Sequence, residues 1–425
     1  MRKKLRNHSE FGGIKMSLSF GDNAGALSGI RVLDLSRILA GPTCTQLLGD
    51  YGADVIKIEK PGTGDDTRTW GPPFLKDDAG NISRESAYYL CANRNKRSLA
   101  VDITSEEGAS IIHKLAKHCD IVVENFKVGG LAKYGLDYEQ LRKTNPEIIY
   151  CSISGFGQTG PNAHKPGYDL LAQAYGGIMS ITGDPDGEPM KVGVGIADVM
   201  CGMYAATAIL AALRHLDKTG EGQQIDLALV DTQVAWLINA GTNFLVSGLD
   251  QTRLGNQHPN IVPYQVFTTN DGHVVIAVGN DNQFERFCKI LGREDLASNL
   301  QYATNEMRLK NRQELIPILA AEIAMWKRND LVFALDEAGI PGGAINTIKD
   351  VFETNQVKAR DMKITIAHPN AGSKGVSLVG NPVKFSKSKV SFRRPPPTCG
   401  QHTEVILAEL QEWEKKRGKQ HDTTK

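Results

Sequence analysis

One carboxylate in this chain stands where it could act as a nucleophile. Asp198 lies in KVGVGIADVMCGMYAATAILAALRHL, directly before an almost unbroken apolar run. Aspartate is a favoured helix N-cap residue, worth about 0.5–2 kcal/mol over alanine, so capping alone would account for it. The same geometry permits chemistry. Backbone N–H groups and the dipole at a helix start favour negative charge, which predicts a carboxylate kept ionised near neutral pH. An ionised carboxylate can attack an activated carbonyl. Gly193 and Gly195 leave room for a ligand to approach, and Gly202, one turn on, permits close helix packing. The two readings are compatible, and the residues alone leave both open.

Other residue types narrow the function classes. The seven cysteines are scattered without CxxC spacing, which predicts free thiols in a reducing compartment and shows no zinc pattern. Lysine and arginine (49) nearly balance aspartate and glutamate (48), so no global charge draws the chain to nucleic acid or a membrane surface. The longest apolar stretch, Val199–Leu213, ends at Arg214-His215. It falls short of the roughly 18 residues a membrane span needs. The first strand-to-helix connection reads SRILAGP rather than GxGxxG, which weighs against a nicotinamide oxidoreductase.

The elements that must position Asp198 follow from periodicity. From Gly29 to about Gly155 short apolar strands alternate with helical stretches. The strands are IRVLDL, DVIKIE, RSLAVDI, IVVENF and IIYCSISG. The helices are expected over Thr43–Tyr51, about Ser105–His118 with Ser105 as cap, and around Leu131–Lys143. GQQIDLALVDTQVAWLINAG adds another strand and helix. This alternation predicts an α/β fold whose large domain is a Rossmann-like, mostly parallel sheet. VPYQVFTTNDGHVVIAVGN reads as a hairpin turning at Asn270-Asp271-Gly272, and amphipathic helices follow, one interrupted by Pro317. The expected division is a large domain over 28–250 completed by 370–413, a smaller α+β domain over 262–352 and a link over 353–369. The last helix is expected to dock on the large domain and to fray over 414–425. Residues 1–27 read as a tail or a weak mitochondrial presequence, with cytoplasmic residence the other option.

In order along the chain, GIRVLDLSRILAGP, GADVIKIEKPGTGDDTR, NRNKRSLAVDI, DIVVENFKVGGLAKYGL, PEIIYCSISGFGQTGP, GYDLLAQAYGG, GIADVMCGMYAA and TGEGQQIDLALVD resemble the class III CoA-transferases of the CaiB/BaiF type. The resemblance implies an interlocked homodimer acting on acyl-CoA and carboxylic acid substrates. It implies no metal and no tightly bound cofactor, the coenzyme A thioester being the substrate itself. It puts the nucleophilic role on Asp198. It puts contacts to CoA on Leu39, Ala40, Lys60, Asn93, Arg94, Asn95, Lys96, Asn125, Phe126, Lys127, Lys133, Lys165 and Tyr168. Asp169 reads as structural or capping.

Two positions discriminate within that family. Its racemases carry a histidine where Tyr168 stands, and tyrosine is a poor base near pH 7, so transfer is favoured over racemisation. Members acting on formyl-CoA and oxalate carry a glutamine where Leu39 stands, which argues for a longer acid. GDDTRTWGPPF, VPYQVF and PPPTCGQHT resemble the branch that passes CoA from succinyl-CoA to a dicarboxylic acid such as glutarate. The far carboxylate would want a cation, for which Arg37, Arg68, Arg94 and His258 are candidates.

Overall fold

The computed structural model describes residues 25–422, so the presequence expected at the N-terminus lies outside the described residues but for its last few positions. The chain forms two compact units. One comprises residues up to Gly176, Gly193–Trp236 and the chain from Arg360; the other comprises Gly177–Val192 and Leu237–Ala359. The division differs from the sequence boundaries: residues 177–192 and 237–261 belong with the smaller unit, and the expected link is shared between the two. Nor is the link bare, because Lys363–Ile366 pairs antiparallel with Val376–Val379.

The large unit is built on six parallel strands. They are β1 (Arg31–Asp34), β2 (Asp54–Glu59), β3 (Lys96–Ala100), β4 (Ile121–Glu124), β5 (Ile149–Ser154) and β6 (Gln223–Ala228). Their order is β3-β2-β1-β4-β5-β6, all parallel. The expected Rossmann-like α/β fold is therefore present, and the strand order reverses between β1 and β4. Val32, Val55, Ile121, Val123 and Ile149 pack on one side of the sheet, and Leu33, Ile56, Leu99, Val122 and Tyr150 on the other. Strands buried on both faces tend to read as apolar runs, as β1 and β4 largely do, whereas β3 and β6 carry several polar residues.

Helix boundaries depart from the sequence reading for local reasons. Helix α1 spans Ala40–Asp50, earlier than expected, because Pro42 fits a first turn, where a missing N–H costs nothing. Helix α2 (Glu106–Ala116) is capped by Ser105, whose hydroxyl accepts from Gly108 N–H at 3.0 Å. The expected helix around Leu131–Lys143 is instead a short turn, Ala132–Tyr134, and a helix, Tyr138–Thr144. Gly135 at φ 68° ends the first, and Asp137 caps the second. Helices α3 (Asp169–Tyr175), α4 (Ile196–Thr219) and α5 (Leu229–Ala235) follow.

Helix α4 corrects the expectation of a short apolar segment. It runs 24 residues, through Arg214-His215, and is long and apolar enough to cross a membrane by length and composition. Ala197, Cys201, Ala205, Ile209 and Ala212 nevertheless pack in the core, the placement of a central helix in a folded domain. Gly202 allows its contact with α1: a Cβ there would stand 2.5 Å from Ala40 O.

The smaller unit contains the expected hairpin, Tyr264–Thr269 with Gly272–Ala277, and a third strand, Gly342–Ala344, that the sequence did not announce. Phe267, Val274, Ile276, Phe284, Phe287, Leu315, Leu319 and Leu331 form its core. Pro317 lies inside the helix Arg312–Ile323 without ending it.

The chain returns to the large unit to cover the open edge of β3. Ser98 N–H donates to His402 Nδ1, Ala100 N–H to Thr403 Oγ1, and Asn95 exchanges hydrogen bonds with Ser391, Arg393 and Arg394. Unpaired strand edges invite pairing with other chains, and this return removes one. The last helix, α6 (Thr403–Asp422), then buries Ile406 and Leu410 against Ile112, Leu115 and Leu141. It stays helical to Asp422, beyond the point at which the tail was expected to fray. Ile406→Ala and Leu410→Ala should each cost about 2–5 kcal/mol in denaturant unfolding, and Gln411→Ala on the exposed face almost nothing.

Candidate active site

Open α/β sheets bind ligands beyond the carboxyl ends of their strands, where the strand order reverses. Here the segments leaving β1 and β4 meet at that point. Residues 37–40 and 125–128 line a cleft with Ile153–Gly155, Ala163–Tyr168, Leu229 and Asp198. The N-terminal end of α1, at Ala40, lines the same cleft.

Asp198 is not the cap of its helix. Gly195 occupies the N-cap position and Asp198 is the third residue of α4. The capping carboxylate is Asp169, whose Oδ1 accepts from Ala197 N–H at 2.8 Å and Asp198 N–H at 3.4 Å. Its Oδ2 accepts from Gln173 Nε2 at 2.7 Å. The expectation that the helix start would keep Asp198 ionised therefore fails, because Asp169 has taken the N–H groups. Asp198 is 9% exposed, and its carboxylate has no hydrogen-bond or ion-pair partner among the described residues. Burial, and after it the neighbouring charge of Asp169, push its pKa up to about 7. The room expected at Gly195 is filled by the protein itself: a Cβ there would stand 3.1 Å from Leu39 Cδ2 and 3.7 Å from the Asp169 carboxyl carbon.

Beneath the first loop lies a buried ionic cluster. Asp34 at the end of β1 accepts from Lys96 Nζ at 3.1 Å and Thr45 Oγ1 at 2.6 Å. Lys57 in β2 donates to Asp65 Oδ2 at 2.8 Å and Ser36 O at 3.0 Å. Burial opposes the charge on Asp65, but Lys57 and the donors of Thr67 hold its pKa down to about 2. Burial lowers Lys96 to about 8, against the attraction of Asp34. Beside the second loop, Glu124 accepts from Phe126 N–H at 2.8 Å, and burial raises its pKa to about 7.

Of the residues expected to touch CoA, Leu39, Ala40, Asn125, Phe126, Lys127, Lys165 and Tyr168 line the cleft with Asp198. The NRNK segment does not, because it enters β3 at its N-terminal end. Asn93 donates to Tyr89 O, Arg94 pairs with Asp50, Asn95 donates to Asp50 and Ser391 O, and Lys96 is in the ionic cluster. All four are buried. Lys60 and Lys133 are exposed outside the cleft, the latter over the Tyr134 ring. Among the candidate cations, Arg68 is held by Glu59, Glu85 and Pro397 O, and Arg94 by Asp50. Arg37 lines the cleft in an exposed pair with Asp66. His258 belongs to the smaller unit.

Sequence reasoning missed Asp34, Lys57, Asp65 and Glu124. For Asp34, Lys57 and Glu124 a charged residue in an otherwise apolar strand, as in RVLD, DVIKIE and IVVE, was the available signal; Asp65 caps the turn after β2 and carried none. A larger cleft of about 810 Å³, between the hairpin Phe74–Lys76/Ile82–Ser86 and Cys399, shares no residue with the Asp198 cleft.

Comparison with known proteins follows the same residues. The family model for CoA-transferase family III matches residues 27–403. The chain is 49% identical over 386 residues to the succinate–glutarate CoA-transferase of Agrobacterium fabrum, covering 91% of this chain and 96% of that protein. It is 45% identical over 389 residues to the succinyl-CoA:glutarate CoA-transferase of Homo sapiens, covering 92% and 87%. A crystal structure of a CaiB/BaiF family protein from Brucella suis superposes with a TM-score of 0.81 at 47% identity, over 92% of this chain and all of that one.

The raised pKa of Asp198 carries a stability consequence. Its folded value, about 7, lies above the unfolded value near 3.9, so the fold disfavours the ionised form. The stability that goes with the protonated form is fully present below about pH 4 and is lost as pH rises through 7. Asp198→Asn should therefore melt above the parent protein at pH 8, by about 1–3 kcal/mol, and lose that advantage toward pH 4.

Proposed function

The chain belongs to CoA-transferase family III, an enzyme family that transfers CoA, and from that premise we propose that it moves CoA from succinyl-CoA to glutarate through covalent intermediates on Asp198. The observation that carries the reading is the Asp198 carboxylate, buried at the cleft with no counter-ion among the described residues. Burial without a partner raises the basicity of a carboxylate and, with it, its nucleophilicity.

The steps balance. An Asp198 oxygen attacks the thioester carbonyl of succinyl-CoA, the C–S bond breaks, and CoA leaves as thiolate from a succinyl–aspartyl anhydride. The thiolate attacks the aspartyl carbonyl, releasing succinate and leaving an aspartyl-CoA thioester. A glutarate oxygen attacks that carbonyl, expelling thiolate and forming a glutaryl–aspartyl anhydride. Thiolate attack on the glutaryl carbonyl gives glutaryl-CoA and regenerates the carboxylate. Each step exchanges one activated acyl bond for another, so the thioester's free energy is conserved.

Surrounding residues suit those charges. Lys127 and Lys165 supply cations along the cleft for CoA phosphates, and Arg37 can exchange Asp66 for the far carboxylate of the acid. The helix start at Ala40 favours an anion near the thioester. Leu39 and Ile38 make the wall apolar, which keeps water from the intermediates. Tyr168 puts a phenol, not an imidazole, at the cleft, which supports transfer rather than α-proton abstraction. A homodimer is part of this reading. Leu170, Leu171, Met203, Tyr204 and Leu210 are exposed apolar side chains on α3 and α4, which supports a partner surface there.

Incubation with succinyl-CoA and glutarate, read by mass spectrometry, should give glutaryl-CoA and free succinate. Asp198→Asn and Asp198→Ala should lose about a thousandfold or more in kcat while retaining CoA binding. Glutarate labelled with ¹⁸O should leave label on the peptide carrying Asp198; an unlabelled peptide after many turnovers would sink the covalent route. Because the carboxylate is the reactive form, kcat/KM should rise with pH through about 7. Asp169→Asn, which removes the like charge, should move that limb to lower pH.

A further inference from the structure

Ile38 lies in the wall of the Asp198 cleft at φ 71°, in the left-handed region. A β-branched side chain there is a genuine outlier, and such strain persists only where the surroundings over-determine it. The surroundings here can be named. Ser36 N–H donates to Asp34 Oδ1 at 3.0 Å and Ser36 O accepts from Lys57 Nζ at 3.0 Å. Ile38 N–H donates to Asp65 Oδ1 at 3.3 Å. Between them, Arg37 N–H donates to Asn125 Oδ1 at 2.8 Å, and Asn125 Nδ2 donates to Arg37 O at 2.7 Å. Leu39 O accepts from Thr43 N–H as α1 begins. From Ser36 to Leu39 the backbone is pinned on both sides of the strained residue.

Asp34, Lys57 and Asp65 all reach this loop from the β1–β2 part of the sheet. Asn125 reaches its backbone from across the point where strand order reverses, since it follows β4, and the neighbouring Phe126 ring meets only the Arg37 side chain among the described contacts. Both ends of its amide go to a single residue's backbone, a geometry that fixes orientation as well as distance. The resemblance assigns Asn125 to CoA; the hydrogen bonds assign its side chain to the protein.

We propose that Asn125 is a positioning residue: by clamping the Arg37 backbone it holds Ile38 in its strained conformation and Leu39 beside Gly195, so that the wall facing Asp198 is formed before substrate arrives. The proposal rests on the reading of Asp198 as the reacting carboxylate. A preformed wall confines the thioester at attack distance, and small displacements of such a wall are costly in rate. Without the clamp, Ile38 relaxes to negative φ and carries Leu39 with it.

The test is a double-variant series on the full-length enzyme. Asn125→Ala should lower kcat about tenfold or more while the dissociation constant for free CoA, by calorimetry, changes less than about threefold. Ile38→Gly added to Asn125→Ala should recover about threefold or more of the lost kcat, because glycine occupies positive φ without strain. Loss of CoA affinity with no recovery by glycine would overturn the proposal and make Asn125 a direct ligand; so would unchanged kinetics. If Asn125→Ala does not fold, Asn125→Asp keeps the acceptor, loses the donor, and carries the same expectation at smaller size. Hydrogen exchange at the amides of residues 37–39 should quicken in the Asn125 variants whether or not Asp198 is the nucleophile, which separates failure of the clamp from failure of the mechanism.

Discussion

The rest of the large unit depends on a cluster of opposite charges buried under one loop. Asp34, Lys57, Asp65 and Lys96 have been taken out of water together, and each is tolerable only because the others are present. Removing one partner from such a pair commonly costs about 3–5 kcal/mol, since an uncompensated charge is left behind, whereas replacing the whole set by apolar residues can be neutral. The cluster is therefore weak as a source of stability and strong as a source of specificity. Its polar atoms are directed at the backbone of Ser36 and Ile38, which is where the cleft begins. An apolar substitute would fill the volume and leave those backbone groups unheld.

Across the cleft the logic is reversed. Asp198 is buried without a cation among the described residues, and the helix N–H groups that could have eased its charge are occupied by Asp169. One carboxylate is thus stabilised so that its neighbour is not. Paired charges fix the wall, and an unpaired charge faces it.

The α/β class was legible because short, largely apolar runs such as RVLD and IVVE alternate with helical stretches such as the amphipathic α2. Boundaries were less legible where a proline or glycine acts locally, as at Pro42 and Gly135. Within the site, Asp198 could be singled out as a lone acid before an apolar run, but not its electrostatic state. That state depends on Asp169, 29 residues earlier, which no periodicity links to it. The NRNK segment shows the opposite failure. Four polar residues in a row suggest a ligand site, yet they answer buried partners in Asp50, Asp34 and the returning chain. Charge in sequence does not distinguish a group that meets a ligand from one that meets its own fold. Only the direction of the strand, entering or leaving, does so.

The return of the chain over β3 sets an order on biosynthesis. Asn95, Ser98 and Ala100 find their partners in residues 391–403, some three hundred positions downstream. A nascent polypeptide emerging from the ribosome therefore exposes this sheet edge through nearly the whole of translation, and the smaller unit is synthesised in full before the larger one can close. A message truncated before the codon for Ser391 would yield a sheet with an open side.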